Sequence, residues 1–183
     1  MTAEDKSLIA HLNLLSFKPF IIAANLKEAE LAKPLENPQY LALSKYIDNN
    51  IELIAISAQI EAELIELSEE ETNEYLQSLG VNESGVKSLI QASFKALGLM
   101  TYFTAGEMEA RAWTVPINCK APQAAGAIHT DFERGFIKAE VVGWDDLLNY
   151  GTKQLAKDAG KVRLEGKEYT VQSSDIIEFK FNV

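Results

Sequence analysis

The chain has 183 residues, 47% hydrophobic and 24% charged, enough to bury one good core or two small ones and too apolar for a disordered composition. Its net charge of −10 weighs against a free-standing nucleic-acid binder, and no DNA partner is expected, because an acidic surface repels polyanions. One cysteine, Cys119, and two histidines exclude an internal disulfide and a usual structural zinc site, so a reducing, cytoplasmic setting is expected.

The opening MTAEDKSLIA carries acids where a signal peptide needs bases, and no apolar run nears the roughly 18 residues of a membrane helix, so no membrane partner is expected. Thr2 and Asp5 have the spacing of a capping pair, and Leu8, Ile9, Leu12 and Leu15 recur at helical spacing, which predicts a helix ended by Pro19. PFIIAA (19–24) and IELIAIS (51–57) are nearly continuous apolar runs, the pattern of strands covered on both faces of a parallel sheet. Asn37 followed by Pro38 starts a helix between them, giving a β-α-β unit. Ser68 with Glu71 makes a capping box for a helix closed by Gly80, and Ser84 opens another that runs to Leu97 and Gly98. The dense charge run EAELIELSEEETNE reads as a solvated helix face with its cap.

After Gly98 the spacing favours short strands: TYFTA, ARAWTVP, FIKAEVV, EYTV and IIEFKF, with helices at APQAAGAIHTDF and WDDLLNY. Strands with single intervening helices in so short a stretch suggest a small α+β domain with a mixed sheet, and a boundary near 98–101. Charge divides there too: residues 1–100 hold 15 acids and 7 bases, whereas 101–183 hold 12 and 10. Within 151–167, Lys153, Lys157, Lys161, Arg163 and Lys167 face only Asp158 and Glu165, a small basic island that reads equally as an RNA contact or as the wet side of a helix.

The chemical motifs are few. No phosphate-binding loop occurs, since the positions five before Gly160-Lys161 and Gly166-Lys167 are Leu155 and Lys161. His129 and Glu133 are four apart but lack a third ligand, so no metal is assigned. Nothing around Cys119 marks it as reactive, and no G-x-S-x-G elbow supports a hydrolase triad. What remains is Asn25 at the end of an apolar strand with Glu28 three places on, the position where nucleotide-binding parallel sheets present a base-reading loop.

TYFTAGEMEARAWTVP, APQAAGAIHTDFERGFIKAEVV and the ending IIEFKFNV resemble the carboxyl-terminal region of the Obg-like ATPase YchF family, and the resemblance extends over essentially the whole chain. It implies a fold that is α/β plus α+β: the end portion of a P-loop GTPase-like parallel sheet in residues 1–98, followed by a β-grasp (ubiquitin-like) TGS domain in 99–183. In that family the base-specificity loop Asn-Lys-x-Asp is changed to Asn-x-x-Glu, here Asn25-Leu26-Lys27-Glu28. An aspartate there accepts two hydrogen bonds from guanine, whereas adenine presents an acceptor and a donor on the corresponding edge. The resemblance therefore implies ATP over GTP, with the Leu26 backbone serving the adenine edge and Ser57 and Ala58 bordering the base through backbone N–H groups. Family members are associated with ribosomes, so the ribosome or its RNA is the expected partner.

The phosphate loop, the magnesium ligands and the switch regions of the family have no counterpart here, so Mg²⁺ is expected only with a missing amino-terminal P-loop segment, and the chain is expected to be inactive alone. It is then the distal part of a longer or split ATPase. The alternative is a stand-alone TGS-type module binding RNA or the ribosome without nucleotide hydrolysis. A ubiquitin-like modifier is disfavoured, because such carriers need a Gly-Gly end and this one reads FKFNV.

Overall fold

The computed structural model describes residues 5, 8–48, 51–106 and 109–182. It divides into two compact units, Met1–Leu97 and Gly98–Val183. Thr2 lies outside the described residues. Leu8 and Ile9 are helical, but the expected helix does not continue to Pro19. Asn13, in the left-handed conformation at φ 49°, closes the 3-10 turn Ala10–Leu12, and a second turn follows at Leu15–Phe17. Asparagine tolerates that backbone better than most residues.

The first unit holds two parallel strands, β1 (Ile22–Asn25) and β2 (Leu53–Ile56), in register from Ile22↔Leu53 to Asn25↔Ile56. Around them lie α1 (Glu28–Leu31), α2 (Pro38–Tyr46), α3 (Ala58–Leu64), α4 (Glu69–Ser78) and α5 (Gly85–Ala96). Three helix starts are set by local chemistry. The Asn37 side chain accepts from the Gln39 and Tyr40 N–H groups, each at 2.9 Å. Ser68 and Glu71 cap α4 reciprocally, and Ser84 accepts from Lys87 N–H at 3.2 Å. Gly80, at φ 72°, takes the left-handed position that ends α4.

The charge run 61–74 is not one solvated face. It spans the end of α3, a turn and the start of α4. Ile60 and Leu64, four apart on α3, bury one side against Leu76 in a small core with Leu31, Tyr75, Leu79 and Val81. Glu63 faces outward and accepts from the Tyr75 hydroxyl at 2.7 Å, whereas Glu61 is partly buried and accepts from the Gly85 N–H at 2.7 Å. The two apolar strands are not covered on both faces either. Of β1 and β2 only Ile54 is fully buried, because a two-stranded sheet has too few neighbours to cover it.

The second unit contains a five-stranded mixed sheet: β3 (Leu99–Ala105), β4 (Ala110–Pro116), β5 (Phe136–Gly143), β6 (Arg163–Glu165) and β7 (Asp175–Phe181). Its order is β4-β3-β7-β5-β6, with β3 and β7 parallel and every other pair antiparallel. The helices are α6 (Ala121–Ile128), α7 (Thr130–Arg134), α8 (Trp144–Tyr150) and α9 (Lys153–Asp158). The helix expected over 121–132 is thus broken at His129, whose extended backbone ends α6 and starts α7. The strand expected at EYTV reduces to a single bridge, Lys120↔Thr170, while Arg163–Glu165 takes the edge beside β5.

The core of this unit joins Tyr102, Val115, Phe136, Val141, Ile177 and Phe179 to the inner side of α6. Ala121, Ala124 and Ala125 have no exposed surface, so α6 can approach closely enough for the Tyr102 hydroxyl to donate to the Ala124 carbonyl at 2.8 Å. Tyr102 and Phe179 meet edge to face at 6.0 Å between ring centres.

Candidate functional site

Parallel strands in register end together, so the loops after β1 and β2 leave the sheet side by side. Leu26 N–H donates to the Ile56 carbonyl at 2.7 Å, carrying the ladder one residue beyond the strand. Asn25 Oδ1 accepts the Ala58 N–H at 3.0 Å. That donor is the first of α3 and has no partner inside its helix, so Asn25 satisfies it and ties the two loops together. Ser57, between β2 and α3, is buried.

A second tether holds the other end of the first loop. Glu30 accepts the Lys27 N–H at 3.1 Å with one carboxylate oxygen and the Asn37 side-chain amide at 2.9 Å with the other. The Lys27 N–H, then the Asn37 amide, hold the Glu30 carboxyl below its ordinary range. Asn37 therefore uses both ends of its amide, one to cap α2 and one to fix Glu30. The result is an open cleft of about 960 Å³ lined by Asn25, Leu26, Lys27, Glu28, Ala29, Glu30, Asn37, Gln39, Ser57 and Gln59. Glu28 opens α1 at its rim, exposed.

The five residues expected at the nucleotide base, Asn25, Leu26, Glu28, Ser57 and Ala58, are thus brought together, with one change of role. The Ala58 N–H, which the resemblance set beside the base, is engaged by Asn25, and the Leu26 N–H is engaged by the Ile56 carbonyl. Leu26 lines the cleft, and a backbone carbonyl there has two lone pairs with which to accept from a ligand. Such an acceptor fits the exocyclic amine of adenine and opposes the carbonyl of guanine. Sequence reasoning missed Glu30, although its place three residues after Lys27 is the capping-box spacing.

The basic island resolves differently. Lys153 donates to Glu140 at 2.7 Å and also to Glu178. Burial alone would lower the Lys153 ammonium, but the two carboxylates outweigh it and hold it above its ordinary value. Lys161 pairs with Asp146 at 3.1 Å. Arg163 reaches Asp175 at 3.2 Å and Glu165 at 3.5 Å, with its guanidinium 5.4 Å from the centre of the Tyr169 ring. Carboxylates outside 151–167 therefore neutralise most of the segment's excess charge. Lys157 and Lys167 are exposed, with no ion pair among the described residues.

Asp175 is the centre of this region. It is 1% exposed and accepts from Arg163, from the Tyr169 hydroxyl at 2.7 Å and from the Gln172 N–H at 2.8 Å. Burial, then the bond to Asp175, push the Tyr169 hydroxyl up to about 12. His129 is a cap: its Nδ1 accepts the Asp131 N–H at 3.2 Å. Cys119 is buried, and burial pushes its thiol up, away from the reactive thiolate.

Residues 99–182 match the family model YchF-GTPase_C, described as a protein of unknown function (DUF933). The chain is similar to the "Ribosome-binding ATPase YchF" of Bacillus subtilis (strain 168), 51% identical over 183 residues, all of this chain and 50% of that protein. It is similar to the protein of the same name from Escherichia coli O157:H7, 44% identical over 185 residues, again all of this chain and 50% of the relative. Among solved structures, the Schizosaccharomyces pombe YchF GTPase superposes with a TM-score of 0.86 at 37% identity, covering 98% of this chain and 48% of that one. The chain spans about half the length of the relatives it matches.

Proposed function

The chain belongs to the Obg-like ATPase YchF family, and we propose that it supplies the base-specificity loop and the TGS domain of a ribosome-associated ATPase that prefers ATP to GTP. The observation that carries this reading is the pinned pair of loops at the carboxyl ends of β1 and β2, where open α/β sheets receive their ligands. Asn25 holds the loops together, and the Leu26 carbonyl accepts from the adenine amine. The phosphate loop and Mg²⁺ ligands come from a segment outside this sequence, which supplies the positioning and charge neutralisation of phosphoryl transfer. The second unit is the TGS domain: its strands, taken in chain order from β3, lie as second, first, fifth, third, fourth across the sheet, an arrangement that supports a β-grasp.

Calorimetry tests the nucleotide reading. The chain alone should bind ATP weakly or undetectably and hydrolyse none. Co-expressed with the unmatched half of the Bacillus subtilis relative, it should bind ATP, with Asn25→Ala weakening binding about tenfold and Glu28→Asp moving preference toward GTP. Micromolar ATP affinity of the chain alone, or full affinity in Asn25→Ala, would refute the assignment.

The ribosome reading extends the relatives' name to this chain, with Lys157 and Lys167 as the cations left to meet rRNA phosphates and with Lys153, Lys161 and Arg163 holding the unit together beside them. Contact by so few charges on an acidic chain is local and strongly salt-dependent. Lys157→Glu with Lys167→Glu should abolish low-salt co-sedimentation with ribosomes while leaving the fold intact. Unchanged sedimentation would place the contact elsewhere.

A further inference from the structure

We propose that the free edge of β4 is a docking site for an extended, basic polypeptide segment of a partner protein, which adds a sixth strand to the sheet of the second unit. β4 is the terminal strand of that sheet. Its ladder with β3 is closed at one end by Ile117 N–H to the Gly98 carbonyl at 2.8 Å and at the other by Gly106 N–H to the Glu109 carbonyl at 2.9 Å, with an unbroken register between. Bonded pairs alternate along an antiparallel ladder, so Arg111, Trp113 and Val115 direct their backbone groups at β3. Ala110, Ala112 and Thr114 therefore turn both N–H and C=O outward, and Pro116 its C=O.

The other edge of the sheet is blunted. β6 has three residues, two of them the charged Arg163 and Glu165, as sheets that avoid pairing generally arrange. β4 has seven residues and one charge, Arg111. That guanidinium lies 4.3 Å from the centre of the Trp113 ring, on the face opposite Ala110, Ala112 and Thr114. The face with the small side chains continues into a groove of about 470 Å³ among β3, β4, β7 and α8, walled by Phe103, Trp144, Leu148 and Ile176. Trp144 is 49% and Leu148 72% exposed. A strand added at β4 would gain main-chain bonds along Ala110–Thr114 and lay alternate side chains over the alanines into this groove.

Charge selects the occupant. Of the exposed charges at this edge, Asp145 beside Trp144 and Glu109 ahead of β4 are acids, and the cation Arg111 is drawn to Glu109 and to the Trp113 ring, which favours a segment carrying Lys or Arg. The two groove aromatics could also stack nucleic-acid bases, but the same acids repel a phosphate backbone, and alternating outward donors and acceptors match a polypeptide.

A phage-displayed library of random dodecapeptides, panned on the full chain, should yield sequences alternating apolar with Lys or Arg residues. Synthetic peptides from that selection should shift the Ala112 and Thr114 amide resonances and protect both from exchange. Ala112→Pro removes an outward donor and no bond to β3, a change sheet edges tolerate. It should weaken the peptides about tenfold. Leu148→Gln, on the groove wall, should weaken them several-fold and serves where Ala112→Pro disturbs the sheet. Recovery of no peptide, or of peptides that bind both variants as well as the wild type, overturns the proposal. So does a twelve-nucleotide oligouridylate that shifts these amides when no peptide does.

Discussion

The two units solve the same problem, burying apolar strands, with unequal means. In the second, five strands and α6 enclose a continuous core in which Tyr102, Val141, Val171 and Ile177 have at most 1% of their surface exposed. In the first, two equally apolar strands form a pair, and the fully buried cluster is Ile60, Leu64 and Leu76, away from the sheet. An apolar run states a requirement for burial, but only neighbouring strands and helices meet it. The proposed outside segment would be such a neighbour for β1 and β2, whereas the second unit needs none for its core.

The contrast breaks most sharply on core truncation. Both tryptophans, Trp113 and Trp144, lie in the second unit, so tryptophan fluorescence follows that unit alone. Phe179→Ala should cost it about 3–5 kcal/mol in urea unfolding, and Ile54→Ala, in β2, should leave the transition in place. An equal shift from Ile54→Ala would mean that the units unfold as one. Next in size, Asp175→Ala strands the Tyr169 hydroxyl, the Gln172 N–H and the Arg163 guanidinium, and should cost about 2–3 kcal/mol by the same measurement. In the first unit, Asn37→Ala removes the cap of α2 and should cost about 1 kcal/mol, read as faster exchange of the Gln39 and Tyr40 amides. Unchanged protection of those amides would show that Asn37 is not what holds them.

The smallest effect sharpens the comparison through pH. The hydrogen bond from Lys153 holds the Glu140 carboxyl below its ordinary value of 4.5, and Lys153 then Lys180 do the same for Glu178. A carboxyl with a depressed native value stabilises the fold above its ordinary value and loses that contribution as pH falls through the depressed one. The second unit should therefore weaken on acidification below about pH 4.5, the ordinary value. Lys153→Met should flatten that limb by about 0.5–1 kcal/mol, a modest figure because the network is partly exposed. An unaltered acid limb would show that other carboxylates dominate it.

Legibility followed the range of the interactions. Asn37, Ser68 with Glu71 and Ser84 could be read as caps because each closes a bond within three residues. Asn25 could be read as the end of an apolar strand, whereas Ser57 joined it only through the family resemblance, and the register of the parallel strands is why the two ends meet. The edge strand Arg163–Glu165 could not be read, since three residues carry no period and its strand character comes from β5, more than twenty positions earlier. EYTV alternates like a strand, yet Tyr169 is drawn to buried Asp175 and the chain turns there. Lys153 looked free because its partners stand 13 and 25 residues away. The Glu30–Asn37 contact was hidden for the same reason.

The alanines of α6 carry a lesson for mutational screens. Ala121, Ala124 and Ala125 seat the helix on the sheet by having almost no side chain, and the bond from Tyr102 to the Ala124 carbonyl depends on that closeness. An alanine scan passes over all three without recording anything. Replacement by larger residues is the screen that detects them: a single valine or leucine on this face must push helix and sheet apart. The positions at which this unit tolerates least are therefore ones that the commonest survey of a protein leaves blank.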